Sequence, residues 1–239
     1  MDIRLHDLAK MIDHSLLHPT MTDAELIAGC QLARRYDVAS VCIKPYAITL
    51  AKEQLSGSDV FVSTVIGFPH GSHKVEVKLR EAELAIADGA IELDMVLNIG
   101  KALSHDWAYI RNEIKTVNDF TVSKKALLKV IFETDFIPQE DLRIHLCKIC
   151  SELAVGFVKT STGYNYVKQP DGSMAYKGAT DEVLKLMRGS CPPSVQVKAA
   201  GKVKTLDDLL RVRALGVTRV GATTTAEILD EAKLRGYHN

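Results

Sequence analysis

Apolar residues gather into eight short runs along the chain: 12–17 (IDHSLL), 38–43 (VASVCI), 60–68 (VFVSTVIGF), 90–97 (AIELDMVL), 126–132 (ALLKVIF), 155–160 (VGFVKT), 195–200 (VQVKAA) and 218–223 (TRVGAT). Most are rich in Val and Ile and do not alternate cleanly with polar residues, the pattern of strands buried on both faces of a parallel sheet. Between them lie stretches with helical periodicity, at 23–35, 46–55, 73–88, 106–118, 138–153, 180–188, 205–215 and 224–235. Thr22 and Glu25 have capping-box spacing at the start of the first, and Gly89 and Gly216 stand just past two others as helix stops. Eight strands alternating with eight helices predict an α/β protein of the (β/α)8 TIM-barrel class. A doubly wound sheet is the competing arrangement, but no G-x-G-x-x-G turn follows the first strand.

No linker or low-complexity tract interrupts the pattern, so residues 1–239 read as one domain. The longest irregular stretch is the loop at 161–179, about nineteen residues. That is long for a structureless connection, so it is expected to be functional or to carry a hairpin of its own, with PDG at 170–172 as its tight turn.

Charge adds an exclusion. Lys+Arg and Asp+Glu number 30 each, so bulk charge draws the chain to neither nucleic acid nor an anionic membrane, and anion binding must come from a local site. The N-terminal MDIRLHDLAKMIDHSLL has no apolar signal-peptide core, and no run reaches membrane-spanning length. Five cysteines, an odd number in a chain too large to need disulfide staples, fit a reducing cytoplasm.

In a barrel of this class the active site lies at the C-terminal ends of the strands. Those ends carry Asp13, Cys42 and Lys44, Glu92 with Asp94, Lys129 and Glu133, Lys159, and Lys198. Glu92 and Asp94 are two apart and share one side of their strand. Lys159 and Lys198 stand at equivalent places on consecutive strands (FVKT, QVKA). Two ammonium groups about 4–6 Å apart at an effective dielectric near 20 disfavour each other's charge by roughly 3–4 kcal/mol, or 2–3 pKa units. One lysine would then be partly neutral near pH 7 and nucleophilic toward carbonyls, with Asp94 holding the charged partner and passing protons. A single lysine at a strand end is more often a snorkelling surface residue, and it is the pair on adjacent strands with an aspartate on a third that raises the catalytic reading.

Three small-residue turns follow the last three strands: TSTG (160–163), AAGK (199–202) and GATTT (221–225), the last opening a helix. Such turns are places for a phosphate, although each alone also reads as an ordinary turn or cap. Cys147 and Cys150 form a C-x-x-C inside a helix and read as buried packing. The pairs His14/His18 and His70/His73 lack a carboxylate third ligand, so no metal is expected.

The ordered set IDHSLLHP, VASVCIKP, VIGFPHG, GAIELDMVLNIG, LKVIFET, GFVKTSTG, VKAAGKVKT and RVGATTTAEI resembles the 2-deoxyribose-5-phosphate aldolase family over about residues 10–230. The resemblance implies a cofactor-free, metal-free class I aldolase on a (β/α)8 barrel. Such a lyase cleaves 2-deoxy-D-ribose 5-phosphate reversibly to acetaldehyde and glyceraldehyde 3-phosphate. It implies Lys159 as the Schiff-base lysine, Lys198 as the lysine that lowers its pKa, and Asp94 as the proton relay. Asp13 and Cys42 match family positions near the substrate. Thr160, Gly163, Gly201, Lys202, Gly221, Thr223 and Thr224 fall in the turns expected to bind the phosphate end. It further implies small-molecule partners and a range from monomer to homodimer. Two departures bear on substrate identity: Lys202 stands where a second glycine is usual, and residues 164–178 lengthen the loop after TSTG. Alternatives are a Schiff-base aldolase for another or unphosphorylated deoxy sugar, and a non-catalytic sugar-phosphate-binding barrel.

Overall fold

A computed structural model describes residues 3–238. Eight parallel strands close into a barrel: β1 (Ile12–Leu16), β2 (Ser40–Ile43), β3 (Phe61–Ile66), β4 (Glu92–Val96), β5 (Leu127–Ile131), β6 (Phe157–Lys159), β9 (Gln196–Ala200) and β10 (Arg219–Ala222), with β10 pairing back onto β1. All eight runs read from the sequence are present, each trimmed by one to three residues where the chain leaves the ladder. Between β6 and β9, the loop at 161–179 carries the hairpin foreseen for it, β7 (Val167–Lys168) against β8 (Met174–Ala175). Its turn is set by Asp171, whose side chain accepts from Ser173 N, and by Gly172 at φ 84°.

The helices α2 (Asp23–Tyr36), α3 (Ile48–Gln54), α4 (Val75–Asp88), α6 (Trp107–Ser123), α7 (Glu140–Glu152), α8 (Asp181–Gly189), α9 (Leu206–Ala214) and α10 (Thr225–Leu234) form the outer layer. The Thr22 capping box is made, with Glu25 accepting from Thr22 N at 2.7 Å, and Gly89 and Gly216 take the left-handed conformation past α4 and α9. Three helical features escaped the pattern. These are α1 (Leu5–Ala9) and α5 (Ile99–Leu103), each barely over one turn, and the last turn of α6 beyond residue 118, where Asp, Thr and Ser mask the helical signal. A 3-10 turn at Pro45–Ala47 also precedes α3.

The main core lies between strands and helices, where Val41, Leu93, Val130, Val158, Val197 and Val220 point outward under the helical layer and are fully buried. Alternate residues point into the barrel, and there the composition changes. Asp13, Glu92, Asp94, Lys129 and Lys198 are all at most 4% exposed.

Candidate active site

Register brings the charges together. Asp94 of β4 is level with Lys129 of β5, and Lys159 of β6 is level with Lys198 of β9, which is level with Arg219 of β10. Asp94 is the hub. Its Oδ1 accepts from Lys129 Nζ at 2.8 Å, and its Oδ2 accepts from both Lys159 Nζ and Lys198 Nζ at 2.7 Å. The two lysines thus share one carboxylate oxygen, where their equivalent positions foretold only that the two amines would lie close together. Below them Asp13 Oδ2 faces Lys198 Nζ at 2.5 Å, Glu92 faces Lys129 at 2.6 Å, and Arg219 closes the floor against Asp13 and Glu92 at 2.7 and 2.9 Å. Ser40 Oγ donates to Asp13 at 2.6 Å. Three carboxylates (Asp13, Glu92, Asp94) therefore stand against four basic groups (Lys129, Lys159, Lys198, Arg219), all packed inside one barrel.

The surroundings sort these groups. Burial pulls the Lys129 ammonium down, but Asp13, Asp94 and Glu92 outweigh it and hold its pKa above the ordinary lysine range. Burial is likewise outweighed for Lys198 by Asp13 and Asp94, so it stays cationic. Lys159 goes the other way. Burial dominates, Asp94 opposes it, Lys198 adds to it, and the pKa falls below the usual value. This corrects the expectation drawn from the sequence, in which repulsion by Lys198 was the whole cause. A carboxylate stands between the two amines, so desolvation leads and repulsion assists. Burial pushes Asp94 and Asp13 up, but the surrounding cations outweigh it and keep both far below the carboxylate range.

Lys159 opens onto a cleft of about 420 Å³ at the C-terminal end of the barrel. Asp13, Cys42, Gly163, Lys198, Gly201, Lys202, Gly221 and Thr223 all line it. On one side Leu17, Cys42 and Val65, backed by Phe68 and Tyr164, make a dry wall. Burial raises the Cys42 pKa, so its thiol is neutral there. At the far end Gly201 has φ 89°, and a Cβ would press on the Tyr176 ring at 3.0 Å. Lys202 follows at φ 62° with Nζ over that ring at 5.5 Å.

Two expected ligand residues do something else. The Thr160 hydroxyl donates to Ala200 O and accepts from Ala200 N, both at 3.0 Å, tying β6 to β9 outside the cleft. Thr224 Oγ1 donates to Lys204 O at 2.8 Å, so it ties α10 to the β9–α9 loop and leaves Thr223 facing the cleft. Of the histidines, His14 is buried against Thr225 at 2.8 Å and His18 pairs with Thr20. Cys147 and Cys150 are buried and free, as packing would have them.

Sequence reasoning passed over Arg219. The signal was present: a guanidinium opening a strand whose next residue is buried, in register with Lys198. It also named Lys129 without seeing its role, and it missed Tyr164, Tyr166 and Tyr176 as cleft walls.

Barrel and cleft together define a (β/α)8 protein with an amine and a carboxylate at the strand C-termini. The chain belongs to the DeoC/LacD family of aldolases, whose family profile matches residues 8–222. It is 50% identical over 232 residues to the deoxyribose-phosphate aldolase of Rhodopirellula baltica, covering 97% of this chain and 92% of that one. It is 40% identical to the deoxyribose-phosphate aldolase of Thermococcus gammatolerans, covering 95% and 97%. Among solved structures it resembles the aldolase QR15 (TM-score 0.85, 31% identity, 96% and 97% covered). It also resembles the tetrameric deoxyribose phosphate aldolase of Aeropyrum pernix (TM-score 0.84, 26% identity, 96% and 92% covered). Among the described residues no helix is long and apolar enough to cross a membrane.

Proposed function

We propose that this chain cleaves 2-deoxy-D-ribose 5-phosphate reversibly to acetaldehyde and D-glyceraldehyde 3-phosphate through a Schiff base on Lys159. The observation that carries this reading is the charge balance inside the barrel. Three carboxylates neutralise three cations, and the fourth basic group, Lys159, is the one whose pKa falls. A lowered pKa raises the share of Lys159 that is uncharged, and an uncharged amine facing a cleft is a nucleophile toward an aldehyde carbon.

The steps follow from that state. The Lys159 lone pair adds to C1 of the open-chain sugar, and the carbinolamine loses water to give an iminium. The iminium places a third positive charge beside Asp94, with those of Lys129 and Lys198, which favours transfer of the Lys198 proton to the departing hydroxyl so that it leaves as water. Neutral Lys198, relayed by Asp94 and water, takes the C3 hydroxyl proton. The C2–C3 bond breaks, its electron pair passes into the iminium, and glyceraldehyde 3-phosphate leaves. The enamine is protonated at C2 and hydrolysed, which releases acetaldehyde and restores the amine. Asp94 is too acidic to keep a proton and acts as a conduit. The dry wall at Cys42 and Leu17 suits the two-carbon fragment, and Gly201, Lys202 and Thr223 suit the phosphate end.

The test is borohydride reduction in the presence of acetaldehyde. A two-carbon adduct mapping to Lys159 is expected, and an unmodified protein would sink the reading. A second reading, an unphosphorylated deoxy sugar as substrate, is favoured by Lys202 in the place of a glycine. It predicts equal kcat/KM for deoxyribose with and without its 5-phosphate, whereas the first reading predicts a clear loss without it. The relatives, deoxyribose-phosphate aldolases, favour the first.

A further inference from the structure

A second cleft, of about 560 Å³, lies behind the hairpin, between it, the β5–α7 loop and the start of α8. Its volume is in the range that accepts a small molecule. Arg143 of α7 lines it and is 7% exposed. Among the described residues, every other lysine or arginine side chain buried this deeply has a carboxylate oxygen close by: Lys78 at 2.6 Å, Lys129 at 2.6 Å, and Lys159 and Lys198 at 2.7 and 2.5 Å. Arg143 has none. Its Nη2 donates to Pro138 O at 3.0 Å, its Nε is enclosed without a partner, and no carboxylate among the described residues lies within 4.0 Å. A buried lysine in that position can shed its proton, but a guanidinium cannot.

A second orphan lies in the same cleft. Thr134 Oγ1 is also buried without a partner. Both orphaned atoms are N–H or O–H donors, so both want an oxygen acceptor. Two acids line the cleft, and neither pairs with Arg143: Asp135 accepts from Lys177 N at 2.7 Å and Gly178 N at 2.9 Å, and Glu182 stands in the first turn of α8. The N-terminal turn of α8, entered through Thr180, faces the same space, and Lys177 and Lys202 stand at its rim.

We propose that this cleft is a second site, separate from the active cleft, for a small molecule bearing a phosphate or carboxylate group. The anion supplies the counter-charge that Arg143 lacks and the acceptor that Thr134 lacks. Tyr176 and Lys202 border both clefts, so a ligand behind the hairpin also fixes one wall of the active cleft.

The test is calorimetric titration with inorganic phosphate and, separately, with malonate, on the wild type, Arg143→Gln, Thr134→Val and Thr223→Val. Without turnover, the outcome does not depend on the reaction proposed above. The wild type is expected to show a binding component that Arg143→Gln weakens at least tenfold, Thr134→Val weakens less, and Thr223→Val leaves intact. In anion-free buffer Arg143→Gln and Thr134→Val should keep wild-type kcat/KM. Binding of phosphate without malonate supports a phosphate-bearing ligand, and the reverse supports a carboxylic acid. Absence of binding for both anions, or equal binding by the wild type and Arg143→Gln, overturns the proposal. If Arg143→Gln does not fold, Thr134→Val decides by the same criterion.

Discussion

Two buried lysines sit in different layers of this molecule and have opposite fates. Lys78, on α4 outside the barrel, is fully buried, and its three N–H groups meet three acceptors: Gly71 O, Val96 O and Glu113 Oε1 at 2.6–2.8 Å. Glu113 serves that one cation and also accepts from Asn98 N. The segment it holds is tight, since a Cβ on Gly71 would lie 2.0 Å from Leu97 O. Lys159, nearly as buried, makes one hydrogen bond, to an Asp94 oxygen it shares with Lys198, and its remaining face looks into the cleft. Burial lowers the pKa of both. Burial alone therefore does not make a lysine reactive. What separates the two is the number of carboxylates per cation, and access to the cleft.

The comparison breaks most visibly under substitution. Lys159→Met should lower kcat by at least about 10³-fold while the protein stays folded, because it removes the amine that bonds to the substrate carbon. Lys78→Met should do the reverse. It strands Glu113 and destabilises by about 3–5 kcal/mol, with kcat per folded molecule unchanged. Steady-state kinetics beside urea unfolding reads both, and a large kcat loss in Lys78→Met would undo the distinction.

His14 supplies a smaller test, a buried base with neither a carboxylate partner nor a catalytic task. Burial lowers its pKa to about 4, with Glu227 pulling weakly the other way. The unfolded chain binds the proton below about pH 6.5 while the folded chain refuses it down to about 4. Stability present above pH 6.5 is thus lost as pH falls through that window, by about 3 kcal/mol at the usual 1.36 kcal/mol per unit. His14→Gln should flatten the dependence of unfolding free energy between pH 6.5 and 4. An unchanged slope would show that His14 is not its source.

The smallest effect is the sharpest. Arg219 touches no part of the cleft, yet it is one of the three cations that the carboxylates neutralise. With Arg219→Gln the barrel interior is short one positive charge, and Lys159 should take up a proton to restore it. The acid limb of kcat/KM should then move to higher pH by about one unit. A limb that stays in place would mean that Lys159 is tuned by its immediate neighbours alone.

Much of this was legible in the sequence, and the rest was hidden for physical reasons. Val- and Ile-rich runs located every barrel strand, because strands buried on both faces must be apolar almost throughout. The polar residues breaking those runs, Asp94, Lys159 and Lys198, marked the site for the same reason. Thr160 and Thr224 were misread because hydroxyls serve backbone and ligand alike, and only partner geometry separates the uses. Arg219 escaped because its role is set by two carboxylates on strands far from it in sequence. The unpaired state of Arg143 has no local sequence mark at all.

The insertion between β6 and α8 is held at both ends by the loop after β5. Glu133 accepts from Thr162 N and from Asn165 Nδ2 at the near end, and Asp135 accepts from Lys177 N and Gly178 N at the far end. Glu133 adopts φ 56°, a costly conformation for a residue with a side chain, to make that grip. In evolutionary terms the barrel carries a docking port. The hairpin residues 167–175 can drift, lengthen or be exchanged while both clamps stay closed, provided that Tyr166 and Tyr176 keep their places in the wall of the active cleft.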